Sequence, residues 1–534
     1  MSLQVRDVTE RRLLWLAGIS VLVAALVLWA DPWFVGHHMT GRGWTVQMLV
    51  PALTEPQRGD STGYMRLGEA AFQAPDHLIY ARLFLVQHEK FIYPPSSLLL
   101  TEALSYAPRV HLTADGAFKA LLLFCWAGTV LLGAMVYRRQ RGRVSVLEAW
   151  CVLLLGVLFM PLTVALVNGQ VQTLLMFLWG AAVWLWIARR HGWAGAALAL
   201  CCVFKPQMAV FLVWGVWRRQ WRFSAAFLGV LAVVEAVSVA HFGLRNHLDY
   251  LRVLSYLSRH GEAGVQNQSM AGLMNRLLHN GDPLVWQDNA YPPYRESIYV
   301  VSTVFGLLAL LAALLLPRRG RGTTADLLLF GCTATIVSPI VWRHHYSIFF
   351  FAVVYLAARA GAMTRLRWAL LVCAALAMGN YLAPLDSFYV GWLSLLDSYV
   401  FCAGLAVMVL LALDMRAEGE GYLRFQRTPS LESSRTMPFS SSSLRSASAR
   451  AKLRCFLARV RSATKASMSA SQRLAAPNLA MTSGDASSRR PSASAQASAA
   501  RVWSASRSSR TAKMLSNLVS RASVASASAR VSFD

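Results

Sequence analysis

Ten long apolar blocks, most without an ionisable side chain, constrain this chain more than any other feature. They run over Leu13–Ala30, Ala117–Tyr137, Val146–Val167, Val171–Ala188, Phe223–Ala240, Ile298–Leu316, Leu327–Ile340, Ser347–Ala358, Trp368–Leu382 and Val390–Leu413. Most approach the roughly 20 residues that a helix needs to cross a bilayer. Continuous rather than alternating apolar sequence calls for helices, because a helix satisfies all its backbone groups within the segment. The expected fold class is therefore an all-α polytopic membrane protein. With 56% hydrophobic residues and a mean hydropathy of +0.42, the whole chain fits that class. Seven of its eight cysteines lie in or beside the apolar blocks and Cys455 lies near the C-terminal end, so no disulfide framework is expected. The first block is longer than a cleavable signal core and ends in "WADPWF", which reads as a retained signal anchor.

Arginine clusters recur between the blocks: Arg11–Arg12, Arg138–Arg139 with Arg141 and Arg143, Arg189–Arg190, Arg218–Arg219 with Arg222, Arg318–Arg319 with Arg321, and Arg359 with Arg365 and Arg367. Such clusters mark the cytoplasmic side. If all are inside, an even number of crossings separates each from the next, which gives about 12 spans with both ends in the cytoplasm. The stretch between Gly192 and Trp217 is too short for two full spans. Its "CCVFKPQMAV" is therefore expected to break into two half-helices meeting at Lys205 and Pro206. The 14-residue stretch after "FIY" is expected to be re-entrant or interfacial.

The division that follows is a cytoplasmic N-terminus (1–11), a membrane domain (12–415) and a tail (416–534). Within the membrane domain, residues 31–93 form a first outer loop and 243–296 a second. The tail holds 20 basic and 5 acidic residues, so it supplies most of the net charge of +26. Rich in Ser, Ala and Arg and poor in aromatics, it cannot bury enough apolar surface to offset its ordering entropy and reads as disordered. Its basic residues are spread out rather than clustered as in lipid-binding patches, and no nucleic-acid partner is expected.

This topology puts every polar interruption of the apolar pattern on the outer side. They are "RGDSTGYMRLGEAAF" with Asp60 and Tyr64, "FIYPP" with Tyr93, "VNGQVQ" with Asn168 and Gln170, "FKPQ" with Lys205, "QNQSM" with Asn267, Gln268 and Ser269, and "SPIVWRHHY" with Arg343, His344 and His345. Motifs that converge on one face suggest one site.

In that order the motifs resemble those of glycosyltransferase family 87, the polyprenol-phosphate-mannose-dependent enzymes of the GT-C superfamily. The resemblance covers residues 10–415 and leaves the tail unmatched. It implies a GT-C fold with short amphipathic helices in the first outer loop. The implied donor is a hexose, mannose first, on a polyprenyl monophosphate, transferred with inversion to a lipid or glycan acceptor. It also implies a bacterial plasma membrane and an active site on its periplasmic or outer face. No cofactor is implied, and the sequence carries no Gly-rich phosphate loop.

Inverting displacement needs a carboxylate to take the acceptor's proton and groups to hold the departing phosphate. Asp60, matching the loop Asp of GT-C enzymes, is the expected base, with Asp31 and Asp76 as rival carboxylates. Lys205, Arg343, His344, His345 and Arg276 are the candidates for the donor phosphate. Tyr64, Tyr93, Asn168, Gln170, Asn267, Gln268 and Ser269 are expected either to bind substrate or to shape the loops. Adjacent histidines without a nearby cysteine or carboxylate make no metal site, and none is expected. The alternative function is a transporter or flippase for a lipid-linked substrate, favoured by one residue, Glu235, within an apolar block.

Overall fold

A computed structural model of the chain describes residues 3–36, 46–54, 60–110, 113–285, 290–315, 322–379 and 391–427. The rest of the tail, residues 428–534, and the side chain of Asp31 lie outside the described residues. Those described contain helices and one isolated bridge, Asn267 to Trp342, but no strand.

The chain enters through α1 (Leu3–Gly36), then places three short helices in the first outer loop: α2 (Val46–Thr54), α3 (Asp60–Phe72) and α4 (Ile79–Leu83). A two-proline corner leads into α5 (Leu98–Ser105), which at eight residues is about 12 Å long and cannot span. Next come α6 (Ala114–Arg141), the bent pair α7 (Val146–Leu158) and α8 (Met160–Val167), α9 (Gln172–Ile187) and α10 (His191–Cys202). α11 (Val210–Trp217) and α12 (Trp221–Phe242) follow, then α13 (Leu244–His260) and α14 (Met270–Leu277) in the second outer loop. The remainder is α15 (Glu296–Leu315), α16 (Thr324–Ile336), α17 (Phe349–Ala358), α18 (Arg365–Met378) and α19 (Tyr399–Arg427). α19 runs past residue 416, so the tail's expected boundary falls inside a helix.

Among the described residues five helices are long and apolar enough to cross a membrane: residues 7–30 of α1, then α6, α12, α15 and residues 395–416. The α7–α8 pair, bent by 52°, makes a sixth. Other apolar runs form shorter helices, among them α9, α10, the 206–217 segment and α16. The 12 expected crossings are therefore not all single helices. Proline, glycine and polar motifs interrupt the apolar runs, and a helix of 16 residues covers only about 24 Å.

α17 is buried on every side, packed against α6, α16 and α19, which suits a helix apolar all round. α10 packs against α12 and on α9, and Gly195 permits it: a Cβ there would overlap the carbonyl of Phe223. At the helix ends that carry the arginine clusters, members of those clusters bind neighbouring elements. Arg218 makes a two-pronged ion pair with Asp326 at 2.7 and 3.0 Å, both side chains fully buried, and donates to the carbonyls of Ala313 and Leu314 at the end of α15. Arg141 pairs with Glu148, which also receives the Tyr137 hydroxyl at 2.8 Å. Arg359 and Tyr355 both donate to Asp414 of α19.

Candidate active site

The "YPP" corner is built by prolines that need no partner and by carbonyls that have one. Pro95 opens a 3-10 turn, where a missing N–H costs nothing, and Pro94 holds an extended ψ of 159° before it. The Tyr80 hydroxyl donates to the Tyr93 carbonyl at 2.5 Å, Tyr250 of α13 to the Ile92 carbonyl at 3.2 Å, and Ser96 to the Val203 carbonyl at 3.1 Å. Three distant segments thus fix the corner and the direction of the Tyr93 side chain.

The "NGQ" turn joins α8 to α9. Gly169 takes φ +58°, a left-handed conformation that glycine adopts without strain, and the Gln170 N–H closes back on the Ala165 carbonyl. The Asn168 carbonyl accepts the Asp60 N–H at 3.1 Å, which ties the start of α3 to this turn. Asn168 thus contributes its backbone.

Around Asp60 the side chains form a connected network. Gln170 Nε2 donates to Asp60 Oδ2 at 3.0 Å. Ser61 Oγ donates to Gln170 Oε1 at 3.0 Å, and the Tyr93 hydroxyl lies 2.9 Å from Ser61 Oγ and 3.3 Å from Gln170 Oε1. Burial raises the pKa of Asp60 above the ordinary carboxylate value, and the Gln170 hydrogen bond opposes that rise. Burial also pushes the Tyr93 hydroxyl well up, so it stays protonated.

Gln170 and Tyr93 line a cavity of about 430 Å³. Its polar wall also includes Gln172, Lys205, Gln207 and His345, while Phe204, Leu254, Val337 and Ile340 supply apolar surface. Four of the predicted motifs therefore meet at one chamber. The chain breaks after α10 as expected: Lys205 stands between Cys202 and the 3-10 turn Pro206–Ala209, with no ion pair or hydrogen bond to its ammonium among the described residues. His345 Nδ1 accepts the Trp342 N–H at 3.2 Å, which leaves Nε2 to carry the proton of the neutral ring.

Other candidates have different work. The Arg276 guanidinium is buried and donates to the carbonyls of Gly264 and Asn267 and to the Ser398 hydroxyl, so it holds the second outer loop together rather than the donor phosphate. Arg343 is buried beneath the Tyr399 ring, 5.6 Å from its centroid, and does not line the cavity. His344 packs edge-on against His345 behind that wall. Asn267 and Gln268 spend their amides on the carbonyls of Glu262, Pro339, Val265 and Asp397, while Ser269 caps α14: all three shape loops. Tyr64 is half-buried in α3, outside the chamber's lining. Asp76 is exposed, pairs with Arg82 and caps the Leu78 N–H. Glu235 lies in the C-terminal half of α12, 3.8 Å from His247 of α13.

Sequence reasoning missed four polar residues. Ser61 and Gln172 stand beside singled-out positions, and Gln207 ends the "FKPQ" motif; their neighbours were the signal. Lys90, which pairs with Glu262 at 2.9 Å and stacks over the Tyr291 ring, joins the two outer loops and gave no local signal. Among the described residues no group of three or more His, Cys, Asp or Glu could hold a metal.

Fold and cavity together define a polytopic membrane protein with a chamber that carries a lysine on one wall and a carboxylate network at its edge. Residues 91–339 match the model of glycosyltransferase family 87. The matched region, a little under half of the chain, is similar to that glycosyltransferase family; it includes the corner at Tyr93, the Gln170 turn, the Lys205 break and Pro339 and leaves out Asp60 and His345. No curated protein matches the chain.

Proposed function

We propose that the protein transfers a hexose, mannose first among them, from a polyprenyl-phosphate donor to a hydroxyl of a lipid or glycan acceptor, with inversion. The site would face the outer side of a bacterial plasma membrane. The acceptor oxygen attacks C1, the bond between C1 and the phosphate oxygen breaks, and polyprenyl phosphate leaves with the electron pair. Asp60 takes the hydroxyl proton. Lys205 neutralises the phosphate, and His345 donates a hydrogen bond to it from Nε2.

The observation that carries this reading is the Lys205 side-chain nitrogen, which lines the same chamber as Gln170, the partner of Asp60, and has no ion pair of its own among the described residues. A buried lysine at a helix break is costly to hold charged alone, and a phosphate bound beside it would favour its ammonium form. Proteoliposomes supplied with a panel of polyprenyl-phosphate sugars test the donor. Asp60→Asn is expected to abolish transfer in a folded protein. Lys205→Ala is expected to raise the donor KM by about 10- to 100-fold, the worth of a charge-assisted hydrogen bond. An active Asp60→Asn, or an unchanged KM in Lys205→Ala, removes the corresponding role.

A further inference from the structure

A carboxylate has two oxygens, and a neighbouring donor that occupies one of them leaves the other to meet an acceptor hydroxyl. At Asp60 the choice is made by its neighbours. The Val171 N–H donates to Ser61 Oγ at 3.0 Å, so that oxygen accepts there and keeps its one proton to give. Gln170 Oε1 lies 3.0 Å away to receive it. The Tyr93 hydroxyl sits between the same two atoms, 2.9 Å from Ser61 Oγ and 3.3 Å from Gln170 Oε1.

Those contacts orient the amide. With hydroxyls directed at Oε1, the opposite end of the group is the NH₂, and Nε2 reaches Asp60 Oδ2 at 3.0 Å. Turned over, the amide would set its own oxygen against the carboxylate. Both partners are also held by one turn: the Asp60 N–H binds the Asn168 carbonyl, and Gln170 stands two residues further on, after Gly169. Asp60 Oδ1 has no hydrogen bond among the described residues.

We propose that Gln170 is the positioning residue of the transfer step: held by Ser61 and Tyr93, it occupies Asp60 Oδ2 and leaves Oδ1 as the oxygen that takes the acceptor's proton. The proposal rests on the reading of Asp60 as the base. The "GQ" turn and the "YPP" corner then act as one device, since the turn supplies the amide and the corner supplies a hydroxyl that fixes its sense. The amide oxygen of Gln170 is taken up by Ser61 and Tyr93 and one of its two N–H donors by Asp60, so the carboxylate contact is its main engagement.

The test compares Gln170→Met, which keeps the length and loses the donor, with the unaltered protein in proteoliposomes across pH. The expected result is a kcat lower by about tenfold or more, from the loss of a hydrogen bond to a charged group, with the donor KM unchanged. The acid limb of kcat/KM should also move to higher pH, because the group that favours the ionised carboxylate is gone. Ser61→Ala, which leaves Gln170 in place but releases its orientation, should lower kcat less and leave the donor KM alone; it carries the same test if Gln170→Met does not fold. A Gln170→Met protein with unaltered kcat and pH profile, or with only a raised donor KM, overturns the proposal. An active Asp60→Asn overturns the base itself. Inactivity of Asp60→Asn beside an unaltered Gln170→Met profile would overturn the positioning role alone.

Discussion

A base can take a proton only while ionised, and Asp60 sits where burial works against ionisation. Its carboxyl therefore needs a higher pH than an ordinary aspartate before it can act. As pH falls through its raised pKa, Asp60 is protonated and transfer is lost; as pH rises above it, activity is regained. The acid limb of kcat/KM is thus expected above the ordinary aspartate range, and a limb at or below that range would show that a different group takes the proton. At this scale the sequence singles out ionisable residues in an apolar or loop setting, and the structure places Lys205 on the chamber wall and Asp60 against Gln170 of that wall. Arg276 and Arg343 had the same appearance. What separates them is tertiary: Arg276 meets the carbonyls of Gly264 and Asn267 and the hydroxyl of Ser398, 122 residues away, and no local pattern encodes that meeting. The two amide motifs divide likewise, Gln170 facing a carboxylate and Gln268 facing backbone carbonyls.

Elements in this chain are shaped by what interrupts them. Pro94 and Pro95, Gly169 and the Lys205–Pro206 pair each end a helix or turn the chain; Lys205 and Pro206 line the chamber, and the other two breaks adjoin Tyr93 and Gln170, which line it too. All three breaks could be read directly, because proline and glycine act through their own backbone. Burial of the arginines at the other ends of the helices could not. The Arg clusters read as topology signals, but Arg218 is fully buried and joins α11 to both α15 and α16. Removing one partner leaves the other charge buried and unpaired, at a cost of about 3–5 kcal/mol. Arg218→Ala should therefore lower the thermal unfolding midpoint in detergent strongly. Arg218→Met combined with Asp326→Leu should recover most of the loss, since no charge is left uncompensated. Equal midpoints for Arg218→Ala and the unaltered protein would show that the pair contributes little to stability.

For the whole molecule, charge and chemistry are divided between two ends of the helices. Arg12, Arg141, Arg218 and Arg359 bind backbone carbonyls or carboxylates of neighbouring elements at the end the arginine clusters assign to the cytoplasm. The Tyr93, Gln170, Lys205 and His345 motifs meet at the other. Helix character and that division were readable from apolar blocks and Arg placement; the number of crossings was not, because half-length helices carry the same apolar signal as spans. The tail adds 20 basic and 5 acidic residues but none of the motifs that meet at the chamber. α19, the last described helix, is fixed through Asp414, which receives Arg359 at 2.8 Å and Tyr355 at 3.0 Å. Truncation after Arg427 keeps those contacts and every residue assigned to the reaction. It is expected to leave kcat and both substrate KM values unchanged in proteoliposomes of neutral lipid. On anionic vesicles the full and truncated chains should respond alike to salt, since the tail's basic residues are spread out rather than gathered into the compact clusters that hold a chain to anionic lipid. A truncated protein that loses activity in neutral lipid would put the tail in the reaction itself, and a salt-dependent gain on anionic vesicles confined to the full chain would give the tail a role at the membrane.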